Sequence, residues 1–270
     1  MIIDFHTHIF PDRIAENTIK HLQAQSHAKA YSDASLSGLL DSMAQGGISY
    51  SVILPIVTKP SQFDSVNRFA VKAGQTEGII AFGSIHPENE NITEKLQYIK
   101  SLGLKGIKLH PDYQGTYIDD RRYVEILQEC IRLDLCVVIH CGLDVGLPVP
   151  IHCPVDRMYL VLKEVLNGCS KEPKIVLAHA GGHLQWELVE ELLVGEQVYF
   201  DLAYSPAVMN RDTLLRIIQT HGTDRILFAT DSPWSSQRDA AAYIRTLPLQ
   251  KEDFDNIFYK NAARLLDLSV

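Results

Sequence analysis

Eleven histidines stand in this chain of 270 residues, and several fall where short apolar runs give way to polar residues. His6 and His8 sit two positions apart at the end of Ile2-Ile3-Asp4-Phe5. On a strand, alternation puts both imidazoles on one face and turns Thr7 away, and two imidazoles on one face can grip one ion. An HxH pair is common, so alone it reads as readily as a satisfied or surface pair. His140 follows Cys136-Val137-Val138-Ile139. His179 follows Lys174-Ile175-Val176-Leu177-Ala178 and precedes Ala180-Gly181-Gly182. Asp231 follows Ile226-Leu227-Phe228-Ala229-Thr230. Each has a plain structural reading alone; together they are four imidazoles and a carboxylate, a ligand set suited to Zn2+ and also to Mn2+, Fe2+, Co2+ or Ni2+.

Residues so far apart in sequence meet only if a fold collects them. Eight apolar, β-branched runs recur along the chain: Met1–Phe5, Tyr50–Ile56, Gly78–Ser84, Gly106–Leu109, Cys136–Ile139, Lys174–Ala178, Val198–Asp201 and Arg225–Ala229. Apolar on both faces, they read as buried parallel strands. Helical periodicity lies between them, as in Leu36, Leu39, Leu40 and Met43, in Ile92, Leu96 and Ile99 after Asn91, and in Trp186, Val189, Leu192 and Leu193. Eight βα units in ~250 residues is the arithmetic of an α/β (β/α)8 TIM barrel, with a parallel eight-stranded core and a C-terminal closing helix over Glu252–Leu268. A doubly wound open sheet would open with a glycine-rich phosphate turn, and no GxGxxG or GxxxxGK[ST] occurs. No linker or composition break divides the chain, so residues 1–270 are expected to form a single domain. A short helix over Ile14–Gln25 is expected to cover the barrel mouth. Barrels carry their chemistry where strands end, which gathers His6, His8, His140, His179 and Asp231 on one face.

The pattern resembles the amidohydrolase superfamily of metal-dependent barrels, and more closely the amidohydrolase 2 branch with its aminocarboxymuconate-semialdehyde and γ-resorcylate decarboxylases and lactone hydrolases. Asp4-Phe5-His6-Thr7-His8, Ile139-His140, Leu177-Ala178-His179-Ala180-Gly181-Gly182, Ala229-Thr230-Asp231-Ser232-Pro233-Trp234 and Asn261-Ala262-Ala263-Arg264-Leu265-Leu266 carry the resemblance. It implies that His6, His8, His140 and Asp231 hold one divalent ion, Zn2+ first and Mn2+ or Fe2+ as alternatives, one ion rather than two. It implies that His179 is a general base or electrophile, or a ligand if a second ion binds. Zn2+ lowers the pKa of its water from ~15.7 to ~7. Asp231 could then take that water's proton while His179 polarises the substrate or relays it. The leading expectation is a metal-dependent hydrolase of a C–N or ester/lactone bond in a small carboxylated molecule. The alternative is a non-oxidative decarboxylase of a small aromatic or unsaturated acid, because both chemistries share these ligands.

Lys105-Gly106-Ile107-Lys108-Leu109-His110 places Lys108 and His110 on one face of the fourth strand. In binuclear members of the superfamily a carboxylated lysine on this strand bridges two metals. Lys108 therefore reads as such a bridge, as a cation for a substrate carboxylate, or as a barrel lysine paired to an acid. His110 is expected to touch substrate or stand near the metal, and Trp234 to wall the pocket. His86, His152 and Cys153 are weaker candidates for the mouth, and Asp201 ends the seventh strand, with Tyr204 after it, where a carboxylate can orient a ligand imidazole. Arg157 reads as a salt-bridge partner and His183 as a helix opener. His21, His27 and His221 read as surface residues, and Cys141 as turned away from the face His140 uses.

The formal charge is −8 without Lys/Arg clusters, a poor match to a phosphate backbone, so a small-molecule substrate rather than nucleic acid is expected. No apolar run approaches ~18 residues, so no membrane partner is expected. Five cysteines without a CxxC pair fit a reducing compartment. The chain enters its first strand with no leader-like segment, which makes the cytoplasm the expected location. A homodimer is an expectation of the resemblance alone.

Overall fold

The computed structural model describes residues 1–147, 149–169 and 171–269. Its strands are β1 (Ile3–Thr7), β2 (Tyr50–Ile53), β3 (Ile79–Ala81), β4 (Gly83–Ser84), β5 (Gly106–Leu109), β6 (Cys136–Ile139), β7 (Ile175–Leu177), β8 (Tyr199–Asp201) and β9 (Ile226–Leu227). Every pairing is parallel, in the orders β1-β2-β3 and β4-β5-β6-β7-β8-β9. Together they make the eight staves of a TIM barrel, because β3 and β4 are two pieces of one stave. β3 pairs with β2 and β4 with β5. The stave expected as unbroken over Gly78–Ser84 is interrupted at Phe82. The Asn67 amide takes the backbone beyond it, donating to the Ser84 carbonyl (3.0 Å) and accepting from the Ser84 N–H (3.0 Å). Three backbone bonds, Phe5 N–H to Phe228 O (2.9 Å), Asp231 N–H to His6 O (2.8 Å) and His8 N–H to Ser232 O (2.6 Å), close the barrel between its first and last staves.

Alternation sorts the core. Phe5, Val52, Phe82, Val138, Val176 and Leu227 fall in one buried cluster, continuous with Ala262 and Leu265 of the C-terminal helix Asn261–Leu266. Their sequence neighbours Ile53, Val137, Ile139, Ile175 and Leu177 pack with the surrounding helices in a second. Helices Leu36–Gly46 and Ile92–Ser101 form where their periodicity places them, and Ser35 caps the first by accepting from Gly38 N (2.9 Å). The C-terminal segment is not one regular helix. A π-helical turn at Asn256–Lys260 joins Lys251–Asp255 to Asn261–Leu266, and the Ile257 carbonyl there accepts from Phe228 N (2.8 Å) instead of serving only the helical ladder.

The helix near the mouth runs over Asp12–Ser26 and buries Ala15 and Ile19. His21 and His27 are exposed, as expected, but His221 is not. It stacks on Phe200 at 3.8 Å and bonds the chain at Gly195 N and Val198 O, so it is a core residue. Among the described residues no helix is long and apolar enough to cross a membrane.

Candidate metal centre and active site

The first strand reaches the site through an irregularity that alternation does not foresee. Ile3 and Asp4 pair with Tyr50 and Ser51, but Thr7 pairs with Ile53, so Phe5 and His6 together stand opposite Val52. Such a bulge re-aims a side chain. Phe5 packs into the barrel core while His6, the next residue, lines the cavity. Asp4 anchors the bulge by accepting from His6 N (3.2 Å), Thr230 N (3.0 Å), Thr230 Oγ1 (2.5 Å) and Gln237 Nε2 (2.7 Å). Burial pushes its carboxyl up to about 7 against those donors. One side chain thus ties the strand of His6 to the residue before Asp231.

Nε2 of His6 and Nε2 of His8 lie 3.1 Å apart, and Asp231 Oδ1 lies 3.5 Å from the first and 3.2 Å from the second. The outer nitrogens are already committed. His8 Nδ1 donates to the Leu54 carbonyl (2.9 Å), which has no hydrogen to offer, and His6 Nδ1 faces Asp201 Oδ2 at 2.8 Å. Asp201 is held in turn by His179 N and Ala203 N, both at 3.0 Å. Neutral rings with the proton on Nδ1 turn two Nε2 lone pairs toward each other and toward a carboxylate. Three acceptors meeting at one point repel unless a cation lies among them, so these residues fit a divalent ion. Burial, then the Lys108 charge, holds His6 well below its usual value and keeps it neutral. Burial opposes the ionised form of Asp231, yet the close imidazoles of His8, His6 and His179 hold it below the usual carboxylate range.

Lys108 is fully buried, its Nζ 3.3 Å from His6 Nε2. Burial lowers it to about 8, with Asp201, Asp231 and Asp144 opposing the shift. His140 and His179 form a linked pair with 3.0 Å between His140 Nδ1 and His179 Nε2. Since His179 Nδ1 donates to the Ala203 carbonyl (3.0 Å), the shared proton belongs to His140 and the His140 Nε2 lone pair has no partner among the described residues. That orphaned buried acceptor also fits a cation. Burial lowers His179 to about 4. His179 (φ 62°) and Asp231 (φ 63°) both adopt left-handed backbone, uncommon for a residue with a Cβ.

His6, His8 and Asp231 converge as one potential cation cluster. His140 falls in a second grouping with His110 and Asp144, stacked on His110 at 4.1 Å. This grouping fits an ion less well, because His110 Nδ1 accepts from Tyr113 N (3.4 Å) and its Nε2–H points at Asp144 Oδ2 (3.2 Å). A cavity of about 600 Å3 opens over these groups. Its polar side chains include His6, His8, Lys108, His140, His179 and Asp231, and its walls are largely apolar, with Ile14, Leu22, Val66, Phe69, Tyr113 and Trp234.

The weaker candidates divide. Tyr204 and His183 line the cavity, whereas His86 and His152 do not. His86 accepts from Glu88 N, and His152 pairs with Asp112 at 3.2 Å. Cys153 and Cys141 are core residues with no exposure, and Arg157 pairs with Asp119 at 3.0 Å. His183 does not simply open a helix; it is buried and bridges to Gly142 across the extensions of β6 and β7. Asp144 and Tyr113 carry no motif spacing and were not legible in the sequence. The one hint of Asp144 is the turn signal Gly142 just after a strand-end histidine.

A parallel eight-stave barrel with imidazoles and carboxylates at its strand ends defines the class of protein. The family described as Amidohydrolase matches residues 3–268, and the chain belongs to that family. No curated protein matches it. Among solved structures, an uncharacterised TIM-barrel protein from Bordetella bronchiseptica superposes with a TM-score of 0.77 at 19% identity, covering 98% of each chain. A 2,6-dihydroxybenzoate decarboxylase in complex with 2,6-dihydroxybenzoate gives 0.74 at 16% identity over 99% of each chain. A dihydroxybenzoic acid decarboxylase from Polaromonas sp. JS666, with bound manganese and the inhibitor 2-nitroresorcinol, gives 0.72 at 16% identity over 98% of this chain and 96% of that one. At these identities the likeness is one of fold.

Proposed function

We propose that the 270 residues act as one domain and catalyse metal-dependent, non-oxidative decarboxylation of a small aromatic acid. The observation that carries this reading is the cavity: apolar and aromatic walls over a polar group of carboxylates, imidazoles and one buried lysine. A flat ring fits the walls, and its carboxylate fits the end where Lys108 and the residues that suit a cation gather. The decarboxylases named among the structural neighbours support this alternative over the hydrolase first expected from the sequence.

His6, His8 and Asp231 would hold the ion, with His140 Nε2 as the fourth donor; the committed Nε2–H of His110 favours one ion over two. Zn2+, Mn2+ or Fe2+ bound there would supply a fixed positive charge to offset that of the substrate's oxygens. Lys108 adds a second positive charge, and Asp201 fixes the tautomer of His6. In the reaction the bond between the ring carbon and the carboxylate carbon breaks. CO2 leaves, the electron pair stays on the ring carbon, and one proton is added there. The second oxygen of Asp231 makes no hydrogen bond among the described residues, so we assign it the relay: the ionised carboxylate would take the proton from water in the cavity and pass it to the ring carbon. His179 orients His140 and tunes its charge through their shared hydrogen bond.

The test is a panel of hydroxylated aromatic acids, lactones and amides given to metal-loaded protein in D2O. The expected result is CO2 release with one deuterium on the ring carbon of the product. Water addition without CO2 would overturn the reading in favour of the hydrolase, which the meeting of acceptor lone pairs also accommodates.

A further inference from the structure

Helix Asp12–Ser26 carries part of the cavity wall, with Ile14, Thr18, Leu22 and Ser26 spaced four apart in one stripe along it. Its hold on the barrel differs from that of the neighbouring walls. The turn Pro111–Gln114, which carries Tyr113, is tied by the Gln114 amide donating to Val57 O (3.0 Å) and Ile85 O (2.7 Å). The loop after β6 is tied by Asp112 Oδ1, which accepts from His152 N (2.9 Å), and by the bridge of Gly142 to His183. Over residues 12–30, by contrast, the hydrogen bonds and ion pairs among the described residues stay inside the segment or reach only Pro11. Ile14 N and Ala15 N donate to Pro11 O, Lys20 pairs with Glu16, Ser26 Oγ donates to Leu22 O, and Ala30 N donates to Gln23 Oε1.

Within the helix Ala15 and Ile19 are buried, while Ile14 at the cavity is 42% exposed. Bonds to the rest of the chain begin just outside the segment, with Phe10 N donating to Ala34 O (2.8 Å) and Tyr31 N to Pro233 O (2.7 Å). His27 ends the helix in left-handed backbone (φ 56°). A strap fixed at both ends and held between them by two buried apolar side chains opens locally at small cost and turns about its ends. We infer that residues 12–30 are a hinged lid, which swings on the Phe10–Ala34 and Tyr31–Pro233 bonds to pass a ligand into the cavity and closes Ile14 and Leu22 over it. Such a lid gates entry whichever reaction the site performs.

A staple tests this. A Cβ at Gly146 would lie 3.5 Å from Ser26 Cβ, within the span of a disulfide, so Ser26→Cys together with Gly146→Cys can lock the lid shut. Zn2+-loaded protein is mixed with pyridine-2,6-dicarboxylate, a flat chelator that has to enter the cavity to strip the ion, and Zn2+ loss is followed with time. Oxidised glutathione should slow loss from the double variant about tenfold or more, and tris(2-carboxyethyl)phosphine should restore the wild-type rate. Neither single variant should respond. Equal rates from the oxidised and reduced double variant overturn the lid. Hydrogen–deuterium exchange of the unsubstituted chain is a second readout that needs no metal. Lifted off the barrel, a helix of 15 residues is marginal in water, so amides of Asp12–Ser26 should exchange about 100-fold faster than those of Leu36–Gly46. Exchange of both helices at one rate overturns the lid, whether or not the staple forms or the ion binds.

Discussion

His6 illustrates how much of this site depends on the second nitrogen of each ring. Its Nδ1 is held by Asp201 and that of His8 by the Leu54 carbonyl, so neither Nε2 has freedom to turn away from Asp231. His6→Asn or Asp231→Asn should therefore lower bound metal from about one equivalent to near zero, measured by elemental analysis after reconstitution. Asp201→Asn removes only the orienting partner and should weaken metal affinity about 10- to 100-fold without abolishing it. A different histidine governs acid stability. Burial lowers His221 to about 4 in the folded chain, while the unfolded imidazole protonates near 6.5. Between those values the unfolded state binds more protons, so stability is fully present above pH 6.5 and falls as pH drops toward 4. His221→Gln should reduce the stability difference between pH 7 and pH 5 by about 2 kcal/mol, read from urea unfolding at each pH. An unchanged difference would show that His221 does not carry it.

At the scale of elements, Gly142 and the β1 bulge do the positioning. Gly142→Ala forces a Cβ against the His183 backbone at a left-handed φ, so it should cost about 2–4 kcal/mol and lower the melting temperature by several degrees. Gly103, also at positive φ but with nothing within 4 Å of its Cβ position, is the control: Ala there should cost about 1 kcal/mol. These elements also show what a sequence discloses. Strand ends were legible because each is an apolar run that stops at a polar residue, which is why His140, His179 and Asp231 could be placed on one face. The β1 bulge was not, since it depends on pairing with Tyr50–Ile53 and leaves no mark in Asp4–His8 itself. The break at Phe82 depends likewise on Asn67, a residue from another element. Asp144 and His183 stayed hidden because a loop has no periodicity from which facing can be read.

At the scale of the whole molecule, the cation cluster joins the two ends of the chain. Its ligands stand on β1 and just after β9, the seam where the barrel closes through only a few backbone bonds. An ion there would hold the first stave to the last, so metal binding should couple to global stability and not only to chemistry. With free Zn2+ or Mn2+ at about 100 times its Kd, folding should gain about 2.7 kcal/mol. For a chain of this length that raises the melting temperature by roughly 5–10 °C. His8→Asn should show little of that rise, because it removes one of the two imidazoles that the first stave brings to the ion. Lys108→Met removes a nearby charge but no cluster ligand and should keep the rise. If wild type and His8→Asn are stabilised equally, the ion binds elsewhere and the seam is held by its backbone bonds alone.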